Sequence, residues 1–549
     1  MIKKKFSTPV IMHTKQNVPL HNIELNQRFQ AALDLAANST QSVFITGKAG
    51  TGKSTFLMYL RQTTQKALAV LAPTGVAALN VRGETIHSFF RFKPNITVAE
   101  AKKQALHTTN HDLYAGIDCI VIDEISMVRA DLLDCVDSFL RTVLRTEEPF
   151  GGIQMIFLGD LYQLPPVVTK RDRGSFNAAY ETPYFFTARV MTDKNFELRF
   201  IELEKIYRQS DTSFIDLLNG IRNGSISQDQ LNVLNRQVDA QRTRKDEGFI
   251  YLTTTNRAAD RINKKKLAHL KTESHSFGAT VKGTFDAAGS PAPAELRLKI
   301  GAQIMFLTNN PEGMWVNGSI GMVQDIDDDV VSVATAGGLV VRVTPYTWTM
   351  YRYVYDHTAQ ALFQESIGSF TQYPLNLAWA VTVHKSQGKT FDRVIVDLED
   401  GTFAHGQAYV ALSRCRSLDG LVLKTPLKKS HLYMDYRVVR FLTRQQYERS
   451  EHACSADEKV RIINQAINNG QLLDIVYLKP DDRKSYRTVK PIAVGDMQYL
   501  NNAYVGMEAY CMLREETRAF RVDRILEITV LNKNRLCTTA HRSEKRVQS

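Results

Sequence analysis

Gly47-Lys48-Ala49-Gly50-Thr51-Gly52-Lys53-Ser54 is the stretch on which the fold turns. It fits G-x-x-x-x-G-K-[ST] in full. An apolar run at 42–46 predicts a buried strand before it, and 54–62 predicts a helix after it. Glycines let backbone N–H groups turn inward around phosphates, and the helix N-terminus adds partial positive charge. In that setting Lys53 reaches the β- and γ-phosphates, and Ser54 ligates Mg²⁺. Gly47, Gly50, Thr51, Gly52 and Thr55 complete the expected nucleotide cradle, with ATP and Mg²⁺ as the expected cofactors.

Working outward, a helix is expected over 23–37, from the spacing of Leu25, Phe29, Ala32, Leu33 and Ala36. Strand signals recur at 67–72, 119–122 and 155–158. Apolar strands alternating with helical segments predict a parallel α/β sheet. The strand at 119–122 runs into Asp123-Glu124. Following a phosphate loop in this order, Asp123 is the expected Mg²⁺ ligand. Glu124 is the expected base that orients and deprotonates an attacking water. Together they predict hydrolysis rather than binding alone.

The chain has 549 residues, too many for one ordinary domain. Its formal net charge of +12 suits a polyanionic partner. The six cysteines form no C-x-x-C pair, which argues against zinc and iron–sulfur sites and for a reduced compartment. The leading apolar run is too short for a secretory signal, and no stretch of about 18 apolar residues is present to span a membrane.

The expected organisation is a leader (1–22), a first α/β lobe (23–204) and a second α/β lobe (205–303 and 371–442). A small antiparallel barrel (304–370) interrupts the second lobe. A polar linker (443–456), a helix-then-strands unit (457–531) and a basic tail (532–549) follow. Asp325, Asp327, Asp328 and Asp329 read as a solvated hairpin turn rather than a cation site.

Further runs carry a family resemblance. Gly159-Asp160-Leu161-Tyr162-Gln163-Leu164-Pro165-Pro166-Val167 resembles motif III of superfamily 1 helicases. Val383-His384-Lys385-Ser386-Gln387-Gly388 resembles motif V, and Tyr409-Val410-Ala411-Leu412-Ser413-Arg414 resembles motif VI. Asp123-Glu124-Ile125-Ser126-Met127, followed by Pro149-Phe150-Gly151-Gly152-Ile153-Gln154, is similar to the Pif (petite integration frequency) family of the 1B subgroup. The resemblance covers roughly 23–440. It implies an α/β fold with two RecA-like parallel-sheet motor lobes, and an ATP-dependent DNA helicase travelling 5′-to-3′ on single-stranded DNA.

The same resemblance implies site roles. Arg414 is the arginine-finger candidate, since a planar guanidinium bridges transition-state oxygens. Arg208, in a run similar to motif IV, is the second candidate. Gln163 links the γ-phosphate to lobe movement, Gln27 reads adenine, and Gly388 adjoins the nucleotide. Pro73, Thr74, Thr85, His87 and Ser88 resemble motifs Ia and Ib of a strand-binding groove, matched in the second lobe by Thr382, His384, Lys385 and Ser386. Phe89 and Phe90 suit base stacking or core packing equally.

Residues 457–531 resemble a WYL domain, a mostly-β unit of bacterial and phage regulators. The matching runs include Ile475-Val476-Tyr477, Val489-Lys490-Pro491 and Phe520-Arg521. The name-giving triplet reads Ala503-Tyr504-Val505. Arg487, Arg514, Arg518 and Arg521 are candidates for a basic pocket for single-stranded nucleic acid or nucleotide. The alternative is that they pair with Glu508, Glu515, Glu516 and Asp523. The expected partners are single-stranded DNA and forked or tailed duplex, with no membrane. A monomer in a bacterial or phage-infected cytoplasm is expected. The competing readings are a DNA-stimulated translocase that separates no strands and a nucleic-acid-binding regulator with a vestigial ATPase. The intact set Lys53, Asp123, Glu124 and Arg414 argues against the last.

Overall fold

Ser42–Gly47 (β1) is buried along its whole length, and its alternation organises the first lobe. Val43 and Ile45 face the helices Gln27–Asn38 and Lys53–Thr63, against Phe29, Leu33, Phe56 and Leu60. Phe44 faces the other way, edge-on to Phe185 and beside Phe200. A strand covered on both faces is apolar throughout. The computed structural model describes residues 26–48, 50–169, 171–205, 211–239, 248–285, 290–327, 329–398, 401–402, 404–432, 434–479, 484–499 and 502–531.

β1 lies in an all-parallel sheet with Leu68–Ala72 (β2), Glu84–Thr85 (β3), Cys119–Ile122 (β4), Gln154–Gly159 (β5) and Leu198–Leu203 (β6). The order is β3-β2-β4-β5-β1-β6. Parallel pairing forces each connection across a face, and the helices there cover the sheet. Phe89 and Phe90 settle in the core, 3% and 0% exposed, among Tyr114, Phe92 and Phe139. Neither is available to stack on a base.

The second sheet opens with Ile250–Thr253 (β7). Antiparallel strands then intervene: His275–Gly278 (β8), Thr280–Gly283 (β9), Glu295–Leu298 (β10), Gln303–Phe306 (β11), Ile320–Asp327 (β12), Val330–Thr335 (β13), Val340–Val343 (β14), Tyr346–Asp356 (β15), Ala361–Gln372 (β16) and Leu375–Leu377 (β17). They form sheets β14-β13-β12-β11-β17, β15-β16-β9 and β10-β8. The antiparallel region therefore starts at His275, ahead of the expected 304. β9 pairs with β16 from Thr280↔Thr371 to Gly283↔Gly368, a register invisible to local pattern. The parallel sheet resumes with Ala380–Thr382 (β18), Val394–Asp397 (β19) and Leu421–Leu423 (β20), in the order β18-β7-β19-β20.

A second compact unit takes in Thr212–Leu231 and Tyr433–Ser549. The stretch 443–456, expected as a linker, belongs mostly to an 18-residue helix, Tyr436–Ala453. Its inner face is Val438, Leu442, Gln445 and Ser450, so the polar residues between them are its outer face. After it come the helix Ala456–Asn468 and the strands Leu472–Leu478 (β21), Lys484–Tyr499 (β22), Asn502–Cys511 (β23), Glu516–Arg521 (β24) and Ile525–Leu531 (β25). These strands form one antiparallel sheet, β24-β23-β22-β21-β25. Ile463 and Ala466 pack on Ile475, Val489, Met507 and Phe520. Lys459 is buried there; its Nζ donates to Ser450 Oγ at 2.8 Å, and that hydroxyl donates to the Leu526 carbonyl at 2.9 Å.

Candidate active site and nucleic-acid groove

The loop leaving β1 turns through Gly50 and Gly52 at φ 83° and 92°, a region that strains any other residue. It delivers Lys53 and Ser54 to the first turn of the helix Lys53–Thr63. Thr51 Oγ1 donates to the Lys48 carbonyl at 2.9 Å, and Lys53 Nζ donates to the Gly47 carbonyl at 2.6 Å. Both bonds curl the loop around its own backbone. Ser54 is exposed and Thr55 half-buried beside it. Gln27 sits exposed at the start of its helix, which Asn26 caps through a 2.9 Å bond from Phe29 N. Arg208 lies outside the described residues.

β4 ends at Asp123 and Glu124. Glu124 takes a left-handed φ of 51°, a strained backbone that turns its side chain at the strand end. Burial pushes both carboxyls up. Glu124 rises to about 7, from burial first and then the charge of Asp123; Asp160 adds to the rise, and Lys53 and Arg414 oppose it. Asp123 also rises through burial, against a backbone hydrogen bond and Lys53. A carboxyl near neutrality suits a base that must both accept and release a proton.

Contacts across the two lobes complete the site. Gln387 Nε2 donates to Glu124 Oε2 at 3.0 Å and to Gln163 Oε1 at 3.2 Å. Gln163 Nε2 in turn donates to Asp160 Oδ2 at 3.2 Å. Buried His405 lies 2.8 Å through Nδ1 from the Tyr184 hydroxyl and 3.3 Å through Nε2 from the Leu161 carbonyl. One tautomer serves both: Nε2–H donates to Leu161, and Nδ1 accepts from Tyr184. Next to it Gly406 has φ 72°, and a Cβ there would press into the carbonyl oxygens of Tyr162 and Gln163. The lobes thus meet backbone to backbone at the 160–163 turn.

Arg414 follows the wholly buried helix Gln407–Leu412 and is itself 1% exposed. Nε donates to the Val410 carbonyl at 2.9 Å, Nη1 to the Lys389 carbonyl at 3.2 Å and Nη2 to Ser413 Oγ at 2.9 Å. A charge removed from water needs such partners. Its field reaches Glu124, which brings the guanidinium of the second lobe to bear on the carboxylate of the first.

Beside this site runs a groove of about 2430 Å³. Its wall takes in Ser54, Thr74, Thr382, His384, Lys385 and Gly388, joined by residues of the antiparallel insertion such as Tyr351 and Trp348. The Thr382–Gly388 turn is tightly built: Thr382 Oγ1 accepts from Lys385 N at 3.3 Å, and Ser386 Oγ donates to the Val383 carbonyl at 2.7 Å. Ser386 is 0% exposed, so its hydroxyl holds the turn and faces no strand. Burial lowers the pKa of His384. Burial next to Lys385 lowers Lys389 to about 8.

Pro73, Thr85, His87 and Ser88 are not among the groove-wall residues. Thr85 Oγ1 caps the turn Ile86–Phe89 by accepting from Ser88 N at 3.1 Å, and Ser88 Oγ donates to Glu84 at 2.7 Å. Glu84, buried, also accepts from Tyr353 N of the insertion at 3.2 Å, while Val70 N donates to the Tyr353 hydroxyl at 2.9 Å. The insertion is thereby anchored next to the turn that carries Thr85, His87 and Ser88. His87 is half-buried, and burial and Arg129 lower its pKa.

Sequence reasoning named no role for Gln387, Tyr184, His405, Glu84 or Tyr353. Gln387 stood inside a quoted motif, but its partner Glu124 is 263 residues away in sequence. Among the described residues no group of three or more His, Cys, Asp or Glu gathers to hold a metal. The Ser54 hydroxyl on the loop helix and the Asp123 carboxyl within the field of Lys53 are hard oxygen donors of the kind Mg²⁺ takes one or two at a time, its shell completed by phosphates and water.

In the C-terminal unit the four arginines do not converge. Arg521 pairs with Asp523 at 2.6 Å and lies 5.1 Å over the Tyr504 ring. Arg518 pairs with Glu516 at 3.3 Å. Three positions apart on β24, Arg518 and Arg521 point to opposite faces of the sheet, which rules out one shared pocket. Arg487 donates to Ser485 Oγ at 2.8 Å, and Arg514 is exposed on the turn before β24.

Comparison with known proteins places this geometry. Residues 22–232 match the PIF1-like helicase family, and 458–530 match the WYL domain. The chain is 34% identical over 417 residues to the ATP-dependent DNA helicase Pif1 of Bdellovibrio bacteriovorus, covering 74% of this chain and 89% of that one. It is 35% identical over 407 residues to human ATP-dependent DNA helicase PIF1, covering 71% of this chain and 59% of that one. Pif1 of Bacteroides sp in complex with ADP-AlF4 superimposes with a TM-score of 0.72 at 36% identity, over 78% of this chain and 98% of that one. The same helicase bound to single-stranded DNA superimposes with a TM-score of 0.54, over 77% and 97%.

Proposed function

This chain belongs to the PIF1-like helicase family and is an ATP-dependent DNA helicase, and from that premise we propose that it travels 5′-to-3′ along single-stranded DNA and opens forked or tailed duplex ahead of it. One observation carries the reading. Gln387, two residues from groove-lining Lys385, donates a hydrogen bond to Glu124 beside the phosphate loop. The turn that offers His384 and Lys385 to a strand is thereby tied by one hydrogen bond to Glu124, the proposed base for the attacking water.

The residues divide the work by chemistry. Lys53 and the loop N–H groups of Gly47, Gly50, Thr51 and Gly52 bind the phosphates, with Thr55 alongside and Gly388 facing them from the other lobe. Ser54 and Asp123 would hold Mg²⁺, which would supply charge neutralisation at the phosphate oxygens. Glu124 takes the proton of the attacking water. Arg414 stabilises the transition-state charge, with Arg208 as a second guanidinium, and Gln163 reports the γ-phosphate to Asp160 and Gln387. Gln27 reads adenine by its side-chain amide. Alternate closing and opening of the lobes moves a strand held by Thr74, Thr382, His384 and Lys385, while Pro73, Thr85, His87 and Ser88 shape the first-lobe grip. The Bacteroides relative bound to single-stranded DNA supports this choice of partner.

The C-terminal sheet adds a second contact for single-stranded nucleic acid. Tyr486 and Tyr510 are exposed on its outer face, and elsewhere on the same face Arg521 lies over the Tyr504 ring; exposed rings and a cation on one face suit unstacked bases. Both lobes that form the site lie in one chain, so the proposed working unit is a monomer, and the bacterial relatives favour a cytoplasmic setting.

The test is strand displacement with ATP on duplexes bearing a single 5′ or a single 3′ tail. Unwinding of the 5′-tailed substrate alone is expected. Preference for the 3′ tail overturns the polarity. DNA-stimulated hydrolysis without displacement on either substrate would favour a translocase that remodels complexes.

A further inference from the structure

The helix Asn256–His269 of the second lobe carries charge that the groove does not use. Arg257, Arg261, Lys264 and Lys265 are all exposed and recur at i, i+4, i+7 and i+8, so they form one stripe along one face. The stripe runs about 12 Å at 1.5 Å per residue. Asp260 is the one acidic residue of the helix, and it lies on the neighbouring face, which lines the groove together with Asn256 and Asn263. None of the four cations makes an ion pair with a described residue.

The helix is also fixed in place relative to the groove. Asn263 Nδ2 donates to the Ala380 carbonyl at 2.8 Å, and Ala380 N donates back to Asn263 Oδ1 at 2.9 Å. Ala380 begins β18, whose chain continues directly into Thr382, His384 and Lys385. Ala259 packs beneath, against Tyr251 and Ile395. The basic stripe therefore borders one wall of the groove on a rigid support. Four unpaired cations at this edge repel one another unless a polyanion passes over them.

We propose that Arg257, Arg261, Lys264 and Lys265 form a second phosphate-contacting surface, over which the single strand continues as it leaves the groove. The inference rests on the groove being the strand site and extends it outward along the second lobe. Arg and Lys on a helix face grip the backbone without reading bases, so the surface adds affinity and site size but no sequence preference.

The experiment measures binding of oligo-dT of about 6 and about 20 nucleotides, lengths within and beyond one compact site, at several salt concentrations. It compares the full-length parent with R257Q/R261Q/K264Q/K265Q. Glutamine keeps helix propensity, and a thermal melt checks the fold. The long strand should bind the variant at least about tenfold more weakly at low salt. Four lost contacts at about 0.7 each should flatten its log K against log salt slope by about 3. The short strand should bind parent and variant alike. Equal long-strand affinity and slope in both proteins overturns the surface. Failure of the parent to bind the short strand, or indifference of that binding to Lys385→Ala, overturns the groove instead.

Discussion

Arg414 and Arg521 belong to regions that use the same side chain in opposite ways. Arg414 is 1% exposed, tied to two carbonyls and a hydroxyl, and its charge acts on Glu124 across the lobe boundary. Arg521 stands in solvent with its charge met by Asp523 two residues on. In a dry site a fixed cation acts at low effective dielectric, whereas an exposed ion pair is screened and contributes about 0–1 kcal/mol. The site between the lobes should therefore fail sharply when one group is removed, and the C-terminal sheet should yield gradually.

The sharpest break is at the phosphate. Lys53→Ala should reduce DNA-stimulated ATP hydrolysis to background, and Glu124→Gln should still bind a fluorescent ATP analogue while turning over far more slowly. Retained turnover in the lysine variant would contradict the assignment of the loop. Arg414 comes next. Arg414→Ala should lower kcat by about 10³, in the range for removal of a guanidinium from a phosphoryl-transfer site. Arg414→Lys should not restore it, because an ammonium cannot reproduce three directed N–H bonds. A rate within a few-fold of the parent would remove Arg414 from the mechanism.

That Lys53, Glu124 and Arg414 gather at one site was legible in sequence, the first two from local pattern and the third through the family resemblance. A phosphate loop, an acidic pair after an apolar strand and an arginine after a buried helix are each encoded within about ten consecutive residues. The two parallel sheets followed from strand–helix alternation in the same way. What stayed hidden needs two distant stretches at once. The Gln387–Glu124 and Glu84–Tyr353 bonds join residues 263 and 269 positions apart. The β9–β16 pairing that moves the insertion boundary back to His275 is of this kind too. The helix Tyr436–Ala453 was hidden differently. Its buried face begins at Val438 and Leu442, before the expected linker, so the polar remainder looked like a loop. Phe89 and Phe90 carried no sign of which way they face; only their neighbours Tyr114 and Phe139 decide it.

A smaller effect should follow from cutting one of those long-range bonds. Gln387→Ala removes a hydrogen bond to a charged group, worth about 1.5–3 kcal/mol. The DNA-stimulated kcat should fall about tenfold, while KM for ATP and strand affinity stay near the parent, since Lys53 and His384 remain. An equal fall in the DNA-free and DNA-stimulated rates would mark Gln387 as structural only.

The smallest effect is expected where the comparison began. In R518A/R521A both lost cations are exposed and already paired with Glu516 and Asp523, so their removal exposes nothing buried. The melting temperature should hold. Single-strand affinity should weaken by less than about tenfold, as befits one or two screened phosphate contacts, and the loss should shrink further as salt is raised. Unwinding should slow in proportion to that affinity, with DNA-stimulated kcat unchanged at saturating strand. If the double variant instead lost hydrolysis as Arg414→Ala does, the sheet would be part of the catalytic machinery. If it matched the parent at every salt concentration, Arg518 and Arg521 would serve only Glu516 and Asp523.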